Sequence, residues 1–269
     1  MTRIVNNCVA LVCLCLFWGQ SLRAADASHS EQIKWGNESV FNEEHNTLGL
    51  FSGVLGGQIV LAGGTSDDYS RWGRNAVCLS ENAGFALYED VLSKPLAYGA
   101  SITLSDGILC IGGRDSSQCY EDVFFVTMQQ GKLNVSEDWP PLPFPLSNAA
   151  GALLDNKVYL FGGRKSVSPS RLSDSFFVLD LSNKSRGWKE LPGYPGCVWE
   201  DAILVVQNNG VSPCLYLLGG QTETEEGLSS CLTDGYVYNP QLGKWSSLGS
   251  DFPKGICAAV ASGANHILL

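Results

Sequence analysis

The chain has 269 residues, with 17 Lys+Arg against 27 Asp+Glu and a formal net charge of −10. That balance excludes nucleic acid or an anionic membrane as the main partner, because both bind through clustered Lys/Arg. A hydrophobic content of 45% with 16% charged residues excludes wholesale disorder, and 30 glycines with 10% aromatics fit short strands and tight turns better than a helical bundle.

Residues 1–24 read as a secretory leader. Arg3 gives a positive start, residues 8–18 are apolar, and Ala24, Ala25 and Ala27 supply small residues at the cut. The apolar stretch is shorter than the roughly 20 residues that a membrane-spanning helix needs, and no other segment approaches that length. Cleavage after Ala24 removes Arg3 and Arg23 and takes the net charge from −10 to −12. The expected location is secreted or periplasmic. Cys8, Cys13 and Cys15 leave with the leader. Cys78, Cys110, Cys119, Cys197, Cys214, Cys231 and Cys257 remain, an odd set that leaves at least one free thiol. With no CxxC and no close Cys/His spacing, no metal site is expected. Cys110 and Cys214 sit in apolar runs and read as small buried hydrophobes.

Along residues 25–269 one pattern recurs. Apolar runs end in Gly-Gly: Ile59-Val60-Leu61-Ala62-Gly63-Gly64, Ile108-Leu109-Cys110-Ile111-Gly112-Gly113, Val158-Tyr159-Leu160-Phe161-Gly162-Gly163 and Leu215-Tyr216-Leu217-Leu218-Gly219-Gly220. Their first glycines are spaced by 49, 50 and 57 residues. Trp139, Trp188 and Trp245 follow the last three doublets by 27, 26 and 26 residues. Between doublet and Trp stands an acid before a β-rich run, as in Asp122-Val123-Phe124-Phe125-Val126, Asp174-Ser175-Phe176-Phe177 and Asp234-Gly235-Tyr236-Val237. A small-residue strand precedes each doublet, as at Tyr98-Gly99-Ala100-Ser101 and Asn148-Ala149-Ala150-Gly151.

Each unit thus predicts four strands: a small-residue strand, an apolar strand ending in Gly-Gly, an aromatic strand and an outer strand carrying Trp. One such sheet cannot bury both faces, so units must stack, and radial stacking of four-stranded sheets is a propeller. The doublet lets the backbone turn sharply at the sheet end, and the Trp ring fills the gap between blades. The predicted fold is all-β, with no helix beyond the leader.

This period resembles the kelch repeat. The edges are unmatched: residues 33–35 look like the last strand of a blade, and residues 258–269 look like the start of a fifth. The expectation is about four blades plus the start of a fifth, a ring that does not close, and self-association through unpaired edges.

A narrower resemblance follows from Leu48-Gly49-Leu50-Phe51-Ser52-Gly53 with its doublet, then Ala97-Tyr98-Gly99-Ala100-Ser101 with its own. These are similar to the last blades of the bacterial N-acetylneuraminate epimerase (sialic acid mutarotase) family. Here they come first and are followed by Pro141-Leu142-Pro143-Phe144, which is similar to that family's beginning. That order resembles the cyclically permuted mutarotases. The resemblance implies an exported, cofactor-free, six-bladed kelch propeller that interconverts sialic acid anomers, with a small-molecule sugar as partner. Two features depart from it. The first repeat lacks its Trp, with Phe85 or Tyr88 as substitutes and Asn75 in place of Asp. The family's acid/base Glu has no counterpart either, since Thr65, Arg114, Arg164 and Gln221 follow the doublets. Blade order would place the Glu/Arg blade beyond Leu269, so no catalytic residue is carried over.

Candidate binding residues remain. Arg114 and Arg164 hold equivalent positions after successive doublets and suit a substrate carboxylate; as bare loop arginines they would only be solvated. Glu200 and Asp201 begin an inner strand that could face the funnel or merely edge it. Arg71 and Trp72 lie in the first post-doublet loop, where an aromatic can stack on a sugar or simply sit at a loop tip. His29, His45 and His266 fit no metal or nucleophilic spacing. Two alternatives compete with a mutarotase. One is a non-catalytic kelch module that binds glycan or protein. The other is a kelch copper oxidase, for which three histidines are too few.

Overall fold

The computed structural model describes residues 48–80, 84–194, 196, 199–223, 229–249, 252, 260–262 and 266–268. The expected leader, the edge strand at residues 33–35, His29 and His45 lie outside them.

Blade 1 is an antiparallel sheet of β1 (Phe51–Leu55), β2 (Gln58–Ala62), β3 (Ala76–Ser80) and β4 (Gly84–Tyr88) in sequence order. Blade 2 repeats it with β5 (Ala100–Thr103), β6 (Ile108–Ile111), β7 (Val123–Gln129) and β8 (Lys132–Ser136). Blade 3 holds β9 (Ala150–Leu154) and β10 (Lys157–Phe161), a small ribbon of β11 (Arg164–Ser166) and β12 (Arg171–Leu172), then β13 (Phe176–Asp180) and β14 (Lys189–Leu191). Blade 4 holds β15 (Glu200–Asn208), β16 (Pro213–Glu223), the short β17 (Ser229–Cys231) paired to β16, β18 (Gly235–Asn239) and β19 (Lys244–Gly249). A hairpin of β20 (Val260–Ser262) and β21 (His266–Leu268) follows, as expected for the first two strands of another unit. The innermost strands β1, β5, β9, β15 and β20 are successive neighbours, which is the arrangement of propeller blades about an axis.

Local chemistry sets the strands. Two-residue turns with both φ positive, such as Gln130-Gly131 (51° and 74°) and Asp155-Asn156 (49° and 58°), close hairpins whose twist matches the flanking strands. Burial falls from inside outward: β6 is buried along its whole length, while β8 alternates exposed and half-buried. The apolar runs are continuous because both faces of each second strand are covered by neighbouring blades.

Three cores lie between blades. Phe51, Val60, Cys78, Cys110 and Phe124 join blades 1 and 2. Ile102, Leu109, Ile111, Leu160 and Phe177 join blades 2 and 3, and Phe161, Phe176, Trp199, Leu215 and Tyr238 join blades 3 and 4. The doublets stitch the same seams. Gly64, Gly113 and Gly163 donate their N–H to the carbonyls of Leu96, Leu146 and Trp199 in the next blade, at 2.9, 2.7 and 2.8 Å. Gly112, with φ +62°, lies so close to that seam that an added Cβ would sit 2.2 Å from the Leu146 oxygen. Its glycine therefore serves close blade approach as well as a turn.

The tryptophans serve the seams too. The indole N–H of Trp188 donates to Pro140 O at 3.0 Å and that of Trp245 to Pro192 O at 3.2 Å, each carbonyl belonging to the connection before the blade. Only Trp245 lies within an outer strand. Trp139 follows β8 and Trp188 precedes β14, because the seam fixes the ring's place rather than the strand boundary. In blade 1, Tyr88 packs on the first seam and its hydroxyl donates to Gly131 O at 3.1 Å, while Phe85 is exposed. The expected absence of helix needs one correction: residues Leu181–Arg186 form a 3-10 segment, capped by Asp180, whose carboxylate accepts the N–H of Ser182. Cys78, Cys110, Cys119 and Cys214 are free and buried.

Candidate functional site

The doublet ends of the blades build one mouth. The residue after each doublet bridges the residue three before the inner strand or, in blade 4, at its start: Thr65 to Leu48, Arg114 to Ala97, Arg164 to Ser147 and Gln221 to Glu200. The next residue in each blade is Gly49, Tyr98, Asn148 or Asp201, and all four are left-handed, with φ of 65°, 60°, 55° and 54°. Tyr98 donates its N–H to Gly49 O at 2.7 Å, Asn148 to Tyr98 O at 2.7 Å and Asp201 to Asn148 O at 3.1 Å. These bonds run from blade to blade around the axis. Glycine and, to a degree, Asn and Asp accept this conformation, whereas a bulky Tyr does so only under constraint. Each non-glycine costs of order 1–3 kcal/mol, and such strain clusters at functional sites.

On one side of this arc the Arg114 guanidinium lies over three rings, 4.6 Å from the centroid of Tyr98, 5.2 Å from Trp72 and 6.0 Å from Tyr69. Tyr69 and Tyr98 stack at 6.4 Å, and the Tyr98 hydroxyl donates to that of Tyr69 at 3.4 Å. The Trp72 indole N–H donates to Tyr69 O at 3.1 Å. The loop that carries these rings is fixed from within. The buried Thr65 hydroxyl donates to Arg71 O at 2.7 Å, and Asp68 accepts from the hydroxyls of Ser66 and Ser70 and the N–H of Ser70, which together hold its carboxyl at about 2. Arg71 contributes this carbonyl, and its own residue is exposed. Among the described residues Arg114 makes no ion pair; its guanidinium donates to Asp115 O at 3.5 Å.

Arg164 is placed differently. Its Nε donates to Glu200 Oε2 at 2.8 Å and its Nη2 to Oε1 at 2.6 Å, a bidentate pair, while Nη1 donates to Ser170 Oγ at 2.6 Å. Glu200 is 4% exposed. The two arginines that the sequence sets at equivalent positions therefore differ in state: Arg164 faces a buried carboxylate and Arg114 faces aromatic rings. Between them stands Cys119, its Sγ 3.4 Å from Ser147 Oγ, with burial pushing the thiol up.

Asp201 is exposed, unlike its buried neighbour Glu200. Its Oδ1 accepts from Asn148 Nδ2 at 2.8 Å and its Oδ2 from Gln221 Nε2 at 3.0 Å. Although part of Asp201 reaches solvent, the protein packed around its carboxyl desolvates it and raises it above the ordinary value; the Asn148 bond opposes this, the Glu200 charge adds to it, and Gln221 and Arg164 oppose it. Tyr98 is pushed up by burial, then by Tyr69, and its hydroxyl feels both Arg114 and Asp201. Sequence reading singled out Arg71, Trp72, Arg114, Arg164, Glu200 and Asp201 but passed over Tyr98, Asn148 and Gln221. The available signal was a polar side chain in phase at Tyr98, Asn148 and Asp201, at the head of three of the small-residue strands, and for Gln221 its place directly after a doublet. No group of three or more His, Cys, Asp or Glu among the described residues could hold a metal ion.

Comparison with known proteins adds the following. Residues 139–269, which hold blades 3 and 4 and the β20–β21 hairpin, match the family model for N-acetylneuraminate epimerase. N-acetylneuraminate epimerases of Yersinia pestis and Haemophilus influenzae are each 30% identical, over 50% and 49% of this chain and 33% and 32% of their own. A kelch domain-containing protein of Vibrio cholerae is 31% identical over 45% of this chain and 31% of its own. The match thus spans about a third of the length of these curated relatives. The solved structure of YjhT aligns at a TM-score of 0.61 with 14% identity, covering 79% of this chain and 73% of that one, a likeness of fold. The chain is a kelch-type β-propeller that resembles the N-acetylneuraminate epimerase family.

Proposed function

We propose that this chain is an exported sugar mutarotase that acts on the anomeric centre of N-acetylneuraminate or a closely related acidic sugar, bound at the mouth just described. The observation that carries the reading is Arg114, a guanidinium with no ion pair among the described residues, held over Tyr69, Trp72 and Tyr98 in a chain whose second half matches an epimerase of such a sugar. A guanidinium fork binds a carboxylate through charge-assisted hydrogen bonds, and the rings beside it offer faces on which a sugar can stack. Arg164 supports the site from behind by holding Glu200. The leader expected at residues 1–24 goes with export of such an enzyme.

Mutarotation opens a hemiketal and closes it on the opposite face. A base takes the anomeric hydroxyl proton, the bond from the anomeric carbon to the ring oxygen breaks with its electron pair on that oxygen, and an acid protonates it. Closing reverses these transfers, so no proton is gained or lost.

The test combines calorimetric titration with N-acetylneuraminate and NMR exchange between its anomers. The wild-type chain should bind and accelerate exchange. Arg114→Ala should weaken binding roughly tenfold or more, because a hydrogen bond to a charged group is worth about 1.5–3 kcal/mol. Equal binding by both would remove Arg114 from the site. Binding without acceleration would support the non-catalytic glycan-binding alternative instead.

A further inference from the structure

We infer that Tyr69 is a specificity-determining residue of this mouth: its ring is the face on which the pyranose of a bound acidic sugar packs while Arg114 holds the carboxylate. The inference rests on the acidic-sugar reading above and names the side chain that selects the sugar.

Three rings stand near the Arg114 guanidinium, and they are not equivalent. Tyr98 and Trp72 are half-buried and lie closest to it, at 4.6 and 5.2 Å from their centroids, so the cation itself covers them. Tyr69 lies farther away, at 6.0 Å, and is 50% exposed. Its ring runs nearly parallel to that of Tyr98, at 20° and 6.4 Å, so Tyr98 backs it while half of the residue stays open.

The loop does not need this ring. The bonds that fix the chain at residue 69 are made by its main chain: its N–H donates to Ser66 O at 2.9 Å, and its carbonyl accepts the Trp72 indole N–H at 3.1 Å. The rest of the loop is held by the side chains of Thr65, Ser66, Asp68 and Ser70. The Tyr69 side chain meets only a long hydroxyl contact of 3.4 Å from Tyr98. Its φ of 59° is left-handed, a conformation that Gly or Asn accepts at little cost and a bulky residue does not. A tip that only had to turn would be served by either of those. A large ring kept exposed, on strained backbone and in a rigid loop, beside a guanidinium that makes no ion pair among the described residues, points to a contact with a ligand.

The two anchors define the selection. Stacking uses the faces of the guanidinium and leaves its N–H edge for a carboxylate. The Tyr69 ring takes the C–H face of a pyranose. A carboxylate carried on the sugar ring itself meets both anchors at once across the 6.0 Å between them, whereas a ring-free carboxylate meets only the first.

The experiment uses the full chain and reads affinity by NMR titration with N-acetylneuraminate and with pyruvate, a carboxylate without a sugar ring. Tyr69→Asn tolerates the left-handed φ and keeps the main-chain bonds, so circular dichroism melting should match wild type. It should weaken N-acetylneuraminate roughly tenfold and leave pyruvate within about twofold. Saturation of aromatic protons in the wild type should reach the pyranose C–H protons. That transfer should fall in protein made with ring-deuterated tyrosine and return in the same protein carrying Tyr69→Phe. Its return decides the matter if pyruvate binds too weakly to titrate or the Asn variant fails to fold. A wild type that binds the sugar, with an equal Tyr69→Asn or no return of transfer in Tyr69→Phe, overturns the role of Tyr69 and leaves the acidic-sugar reading standing. Equal weakening of sugar and pyruvate would mean that Tyr69 acts by placing Arg114, which overturns the stacking role. A wild type that does not bind N-acetylneuraminate overturns the reading itself and this role with it.

Discussion

Replacing Gly112 with Ala tests whether the doublets are seams or merely turns. Gly112 has φ +62°, and an added Cβ would lie 2.2 Å from Leu146 O and 3.4 Å from Leu142 Cδ1 in the next blade's approach. The left-handed conformation costs an L-residue about 1–2 kcal/mol. Relieving a methyl–carbonyl overlap at a packed seam adds about 1–3 kcal/mol. Displacing Leu146 also threatens the Gly113 N–H bond to its oxygen at 2.7 Å, worth about 1 kcal/mol. The sum is roughly 3–6 kcal/mol. Gly131 supplies the control: its φ is +74°, but an added Cβ meets nothing within 4 Å, so Gly131→Ala should cost only the conformational 1–2 kcal/mol or so. Urea unfolding followed by tryptophan fluorescence suits the comparison, since Trp139 and Trp188 pack on the same seam. At a slope of about 3 kcal/mol per molar urea, the Gly112 variant should melt roughly 0.7–1.3 M below the Gly131 variant. Midpoints within about 0.2 M of each other would refute the seam argument and leave only the turn.

Two further predictions concern charge. Arg164→Met leaves Glu200 buried without its partner and should destabilise by about 3–5 kcal/mol; adding Glu200→Leu should recover most of that loss in the same unfolding assay, and a double variant as unstable as the single one would show that the pair does not act as a unit. Burial pushes the Asp115 carboxyl up, but bonds from Tyr120, Ser117 and Gln118 outweigh it and hold the group down to about 2. Its contribution is therefore complete above the unfolded value of about 3.9 and is lost as pH falls through about 2. Asp115→Asn should flatten the acid limb of stability between those values, and an unchanged limb in urea titrations across that range would refute it.

The period was legible because it has one cause. A blade needs an apolar strand covered on both faces, a glycine pair where its end meets the next blade, and a large ring in the seam; each left a letter at a fixed spacing, as at Ile108 to Gly113. The exceptions follow from the same cause. Tyr88 replaces the first Trp because the seam asks for a ring that also reaches a carbonyl, here Gly131 O. The position of Trp139 beyond β8 shows that the seam does not ask for a strand. The 3-10 segment Leu181–Arg186 was hidden because its sequence also suits an ordinary strand connection.

The site was legible only in part, and the reason is geometric. Arg114 and Arg164 carry the same sequence signal, yet their states are set by residues tens of positions away: Tyr69 and Trp72 for one, Glu200 for the other. A propeller brings such residues together by rotation about its axis, so a neighbour is one repeat away rather than one helical turn. Tyr98, Asn148 and Asp201 are separated by 50 and 53 residues and touch through consecutive backbone bonds. That same arc links folding to chemistry. Its bonds hold the inner strands of blades 1 to 4 in register, and they also fix the directions of the Tyr98, Asn148 and Asp201 side chains. Strain at these residues is thus held by the blade packing itself, which leaves the exposed side chains at the mouth to vary in function without disturbing the seams.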